Sequence, residues 1–264
     1  MQDLTLILNT AEKRIQFLLC SGASVLCAED WLAQRGGTEL LAPALREAFG
    51  RLGMKPTELT RIACVAGPGN FTGLRIGLTT SSGLARAVNA KQAGLDYLQC
   101  LAFNANARPG EEILVMTNAR KGLAYCARFR ADEAGIPRAE GRTFLLPVPP
   151  VPVGFDFGAP DFVLGSALSS NRTYLSPLFP EKTRLLPASA DTPTTASLFA
   201  AEQLADWDSL DGSDPAPLYL RDCDAVENFD AIARAQGRDP KRAHEELERL
   251  MTAPLDGQAV RTLL

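Results

Sequence analysis

Apolar and polar residues alternate in blocks along the first half of the chain. Leu4–Leu8, Arg14–Cys20 and Val25–Ala28 are short apolar runs, separated by a polar turn at Thr10–Lys13 and a break at Gly22. Runs of this length, punctuated in this way, predict strands, the second and third forming a hairpin. Leu40, Leu41, Ala44, Leu45, Ala48, Phe49 and Leu52 then recur at helical spacing until Gly53, which predicts an amphipathic helix over 38–53 with a glycine stop. A strand at Arg61–Ala66 leads through glycines into a second helix over 72–89. A short strand at Gly94–Leu95 and a helix near Leu98–Ala105 follow. The order predicts an α/β fold with a mixed sheet.

The second half opens on "EEILVMTNARKGLAYCARFR", residues 111–130, a strand, a tight turn at Asn118–Gly122 and a second strand. Residues 137–160 are dense in proline and glycine and read as an extended connection, in spite of two P-x-x-P frames. A short strand at Phe162–Leu164 and a helix over Pro193–Leu204 come next. In the tail, Val226, Phe229, Ile232 and Ala233 line one helix ended by Gly237. Asp239 caps another, with Pro240 at its first position and Leu247, Leu250 and Met251 as its apolar stripe.

Composition narrows the function classes. With 264 residues the chain can hold one large domain or two small ones. The net charge of −4 comes without a basic cluster, which argues against direct, strong nucleic-acid binding. No apolar run is long enough for a membrane span, and "MQDLTLILNT" reads as a first strand rather than a signal peptide, so a cytoplasmic protein is expected. Cys20, Cys27, Cys64, Cys100, Cys126 and Cys223 form no C-x-x-C pair and read as free thiols, although Cys20 and Cys27 could meet across the hairpin. His244 is the only histidine and reads as a solvated helix residue near Glu248. One histidine and no cysteine cluster leave no transition-metal site, and a peptidase relying on a histidine base is equally poorly served.

The densest signal is "VAGPGNFTGLRIGLTTSSGLARA", residues 65–87. It begins like a phosphate loop, yet Gly73 is followed by Leu74 and Arg75 where a Walker loop needs Lys and Ser or Thr. As a dinucleotide fingerprint, Gly67, Gly69 and Gly73 are one residue too long, and Ala93 stands near where an acid is needed, with Asp96 close by. Arg75 and Arg86 are the only charges from Phe71 to Val88, so the helix is expected to be buried almost all round. Gly73, Gly77, Ser81 and Ala85 make a ridge of small side chains. Each helical glycine costs about 1 kcal/mol against alanine, and close packing is the expected compensation. Spacing alone leaves open whether that packing is against a partner or within the fold.

"GPGNFTGLRIGLTTSSGLA" resembles the G-P-G-S-F-T-G-x-R-x-G signature of the bacterial TsaB (YeaZ) family. "LILNTA" stands where that family has its opening strand and D-T-S turn. "MTNARKGLAYCARF" is similar to its D-A-R-x-G-x-V-Y segment, and "APLYLRD" to its P-x-Y-L-R segment; together they cover about residues 3–222. The resemblance implies an actin-like ATPase (ASKHA, ribonuclease H-like) fold in two related lobes, 1–107 and 108–222, with a helical tail, 223–264. It implies a non-catalytic scaffold for tRNA N6-threonylcarbamoyladenosine modification. Such a subunit pairs with the catalytic TsaD, is joined by the ATPase TsaE, self-associates as a homodimer and meets tRNA only through the complex.

On this reading no cofactor is bound by the chain alone, ATP or ADP and a metal being held by partner subunits. The partner face is expected at Gly73, Leu74, Gly77, Ser81, Leu84, Leu41 and Leu45. Gly67, Pro68, Gly69, Asn70, Thr72 and Arg75 shape the loop, Arg75 either bonding local carbonyls or pairing across the interface. Asn9 and Thr10, and Asn118 and Arg120, hold the diverged family positions. The amides Asn9 and Asn118 stand where the family has acids and supply no anionic magnesium ligand. That weighs against the rival reading, a nucleotide-dependent phosphotransferase or glycopeptidase-like enzyme of the same fold. A dinucleotide oxidoreductase is the third class.

Overall fold

All six residues of the first strand, β1 (Leu4–Asn9), are buried, so both faces of its sheet are covered. Leu4, Leu6 and Leu8 pack to one side with Leu41, Leu45 and Phe49, whereas Ile7 packs to the other with Ala63 and Val65, as the two-residue period of a strand requires. A computed structural model describes residues 3–32, 37–210, 213–220, 229–235 and 237–245. The chain divides into two compact units, Met1–Leu220 and Arg221–Leu264.

Within the first unit, β1, β2 (Arg14–Ser21), β3 (Ser24–Leu32), β4 (Arg61–Gly67) and β5 (Lys91–Asp96) form a sheet ordered β3-β2-β1-β4-β5. The first three strands are antiparallel neighbours, and β4 and β5 run parallel to β1. A second sheet is ordered β11 (Arg184–Leu185), β10 (Phe162–Leu164), β6 (Glu112–Arg120), β7 (Leu123–Ala131), β8 (Pro137–Ala139), with β9 (Phe144–Pro147) also on β7. It repeats the plan of the first: an antiparallel β6–β7 hairpin, then β10 parallel to β6 and β11 parallel to β10. Two lobes of one connectivity bear out the mixed α/β, actin-like fold class.

Helices α1 (Leu41–Leu52) and α2 (Phe71–Val88) cover the outer face of the first sheet. Between the sheets lie α3 (Tyr97–Ala102) and, further along the chain, the helix Thr195–Glu202, whose Leu98, Leu101 and Leu198 join Val65, Val115 and Phe129 in one continuous core. On the outer face of the second sheet, α4 (Ser166–Ser170) and α5 (Arg172–Leu175) pack on Leu114, Met116 and Val163. Among the described residues no helix is long and apolar enough to cross a membrane.

The structure departs from expectation at 137–160, where β8 and β9 pair with β7. Pro137 and Pro147 sit at strand ends, where a missing N–H is tolerated. The hairpin register puts Leu19 rather than Cys20 opposite Cys27, and a slip after Leu19 sets Cys20 against Val25; Cys20, Cys27, Cys64, Cys100 and Cys126 are free thiols. In the second unit, Gly237 follows the helix Phe229–Ala235 with φ +71°, and Asp239 caps the next turn by accepting from the Lys241 N–H at 2.8 Å. Cys223, Val226, Leu247, Glu248, Leu250 and Met251 lie outside the described residues, as does the 222/223 boundary expected between second lobe and tail.

Leu98 is fully buried in the core shared by the two sheets. Leu98→Ala is expected to cost about 2–5 kcal/mol in a single denaturant transition, coincident by circular dichroism and tryptophan fluorescence. Two resolved transitions would mean that the lobes unfold separately.

Candidate functional site

The glycine loop takes its shape from the turn after β1. A Cβ on Gly69 would lie 2.4 Å from the Ala11 carbonyl oxygen, and one on Gly73 2.1 Å from that of Thr10. Only glycine allows backbone to meet backbone so closely. The approach is fixed by hydrogen bonds: the Asn70 N–H donates to Ala11 O at 2.6 Å, and the Thr10 hydroxyl to Gly73 O at 2.7 Å. Asn70 then caps α2, its Oδ1 accepting from the Gly73 N–H at 3.1 Å. Two amides of this loop, those of Asn70 and Gly73, are thus engaged within the chain. Gly67, at φ +128°, turns the strand into this loop before the buried Pro68.

The ridge of small residues is internal. A Cβ on Gly77 would meet the Thr10 hydroxyl at 2.3 Å, and Gly77, Ser81 and Ala85 are buried. Leu41, Leu45 and Leu74 are core residues and Leu84 is half-buried. Of the positions expected at a partner face, Leu41, Leu45, Leu74, Gly77 and Ser81 are buried, and small size on α2 serves its contact with β1 and β4. Nor is α2 buried all round. Thr72, Arg75, Thr79, Gly83 and Arg86 are exposed on its other side, and around Gly83, as around the exposed Gly50 of α1, a Cβ would meet nothing within 4 Å.

Arg75 acts locally. Its guanidinium lies 3.7 Å over the Phe71 ring, and its Nε donates to the Tyr219 hydroxyl at 3.4 Å. Tyr219 belongs to a strap, residues 213–220, that spans the glycine loop. The Leu218 N–H donates to Ala66 O at 2.8 Å, and the Tyr219 and Phe71 rings stand 5.1 Å apart. Asp214 accepts from Arg86 at 2.5 Å and from Gln92 at 3.1 Å, and Pro215 packs over Gly94. The strap's "APLYLRD" was legible as a family segment, but nothing in its residues pointed to the loop it holds.

Asn9 and Asn118, the positions expected to diverge from the family, make amide contacts within their own lobes. Asn9 is buried, donates to Gln16 Oε1 at 2.8 Å and accepts the Ala11 N–H at 3.0 Å. Asn118 donates its N–H to Ser166 Oγ at 2.9 Å and its amide to Ser170 Oγ at 3.1 Å. Arg120 is exposed at the hairpin end opposite Leu123. Sequence reasoning missed Glu12, which the same turn places between the lobes. Its Oε1 accepts from Ser166 Oγ at 2.7 Å and its Oε2 from the Tyr97 hydroxyl at 3.2 Å. Burial, against those hydrogen bonds, pushes its carboxyl up to about 7. In the second unit, exposed His244 pairs at 2.9 Å with Asp230.

The two sides of α2 are expected to respond oppositely to one methyl group. Gly73→Ala forces backbone from backbone and should destabilise by about 1–3 kcal/mol. Gly83→Ala adds helix propensity in open space and should stabilise by about 0.5–1 kcal/mol. Thermal unfolding of both variants checks the assignment of faces.

A family model described as TsaD, tRNA N6-adenosine threonylcarbamoyltransferase, matches residues 31–147, which include the glycine loop. The chain is 32% identical over 110 residues to the tRNA threonylcarbamoyladenosine biosynthesis protein TsaB of Escherichia coli K12, covering 41% of this chain and 48% of that protein. To the Bacillus subtilis protein of the same name it is 31% identical over 88 residues, 33% of this chain and 38% of that one. The chain thus spans about half, or less, of the length of these curated relatives. The solved structure of YeaZ from Pseudomonas aeruginosa superimposes with a TM-score of 0.66 at 25% identity, over 83% of this chain and all of that one. The resemblance carried by the sequence motifs is borne out: this chain is homologous to proteins named TsaB and YeaZ.

Proposed function

We propose that this chain is a cytoplasmic, non-catalytic scaffold or activator subunit for tRNA N6-threonylcarbamoyladenosine modification, pairing with a catalytic TsaD-like subunit. The observation that carries the reading is the homology to proteins named for that biosynthesis, with a family match that includes the glycine loop. The geometry supports it. Two loop amides are engaged by Ala11 and by the Asn70 cap, the strap lies over the loop, and Asn9 and Asn118 bind neighbouring side chains through neutral amides. A nucleotide would then belong to partner subunits, and tRNA would meet the chain through the complex, with a TsaE-like ATPase as a further member.

The pairing surface is the exposed side of α2 around Thr79, Gly83 and Arg86, with the neighbouring outer side of α1 at Ala42, Arg46 and Gly50. Gly83 and Gly50 weaken their helices without filling any close contact inside the chain. Close approach of another protein's helix is what would use them, whether a TsaD-like subunit or a second copy.

The test is size exclusion with light scattering, using the TsaD-like protein of the same organism and the variants wild type and Gly83→Arg. Wild type is expected to form a heterodimer, and Gly83→Arg to weaken it at least tenfold with unfolding unchanged. Equal pairing by both would move the surface elsewhere. Failure of the wild type to pair, together with ATP hydrolysis by the chain alone, would favour a phosphotransferase.

A further inference from the structure

The turn Thr10–Ala11–Glu12 has two sides. Thr10 and Ala11 hold the start of α2 through Gly73 and Asn70, at 2.7 and 2.6 Å. Glu12 holds the second lobe through Ser166 at 2.7 Å, and Ser166 in turn accepts the Asn118 N–H at 2.9 Å. Three consecutive residues therefore connect the glycine loop to α4, across the space between the two sheets.

We propose that Glu12 is a proton-operated latch between the lobes, closed when its carboxyl is neutral, and that turn 10–12 transmits the state of the latch to the glycine loop. Neutral, Glu12 accepts from Ser166 and donates to the Tyr97 oxygen, leaving the Tyr97 proton for the Asp191 carbonyl 3.5 Å away. Ionised, it accepts a hydrogen bond from the Tyr97 hydroxyl instead and places a charge in a half-buried position beside the Asp191 carboxylate. The groups that face it are Lys13 beside it on the turn, Tyr97 on α3, Ser166 on α4 and Asp191 before the helix Thr195–Glu202. The Asp191 carboxylate opposes ionisation and Lys13 favours it. Opening the contact admits water and restores the ordinary acidity of the carboxyl. The closed form holds its proton more tightly, so closure is strongest below the ordinary carboxyl value of 4.5 and weakens as pH rises from there to about 7. From the acid limit to pH 8 the closed-to-open ratio is expected to fall on the order of a hundredfold.

The experiment is a carboxyl-carbon and amide NMR titration of the full chain from pH 5 to 8.5. The Glu12 carboxyl is expected to titrate near 7. Amides of 70–73 and of 166–170 should shift with the same midpoint, and Glu12→Gln should abolish both sets of shifts. Ser166→Ala removes a donor that favours the ionised form, so it should raise the midpoint, keep the response of 70–73 and lose that of 166–170. It also serves should Glu12→Gln not fold. A midpoint near 4.5, or loop amides that ignore Glu12, would overturn the proposal. None of these readouts involves a partner protein, so the pairing surface on α2 stands or falls separately.

Discussion

The contact on which the first lobe depends is backbone against backbone, at the point where the turn after β1 meets the loop after β4. Carbonyls of Thr10 and Ala11 lie where Cβ atoms of Gly73 and Gly69 would stand. This proximity lets Asn70 both bond the turn and cap α2. It fixes the direction in which eighteen helical residues leave the sheet. It also decides which side of α2 is buried: Gly77 and Ser81 continue the close approach along the helix, so Thr79, Gly83 and Arg86 are left to solvent. An ion-binding loop would use the same glycines to bring its amides to a ligand. Here the chain's own turn occupies that approach.

The strands and long helices were legible because their cause is local. Leu4–Leu8 could bury both faces only as a central strand, and the stripe from Leu41 to Leu52 ends at Gly53, which takes φ +65°. β8 and β9 were not legible, since proline and glycine density argues for loop, and their pairing with β7 is set by tertiary register. For the site, the motif located the loop and the small-residue ridge, but spacing does not reveal which neighbour a glycine meets. The same i, i+4 pattern would serve a partner or β1, and β1 is where it packs. Tyr97 and Ser166 lie 85 and 154 residues from Glu12 in sequence, and no local pattern announces such a meeting.

The divergence of this chain is coherent in chemical terms. Asn9 and Asn118 each satisfy their amides with neutral partners of their own lobe, Gln16 for Asn9 and Ser170 for Asn118. Glu12 places one carboxyl nearby, where burial favours its neutral form. The interior between the sheets holds a continuous apolar core.

The strap has a consequence for how the molecule is made. Tyr219 and Leu218 close over a loop that was synthesised some 140 residues earlier. While the chain is still growing, the first sheet can form but Phe71 and Arg75 lack their cover, and Arg86 lacks Asp214. The outer side of α2 therefore reaches its final form only after the second lobe has emerged. Synthesis through residue 220 becomes the condition for finishing the Arg75 and Arg86 positions of that side.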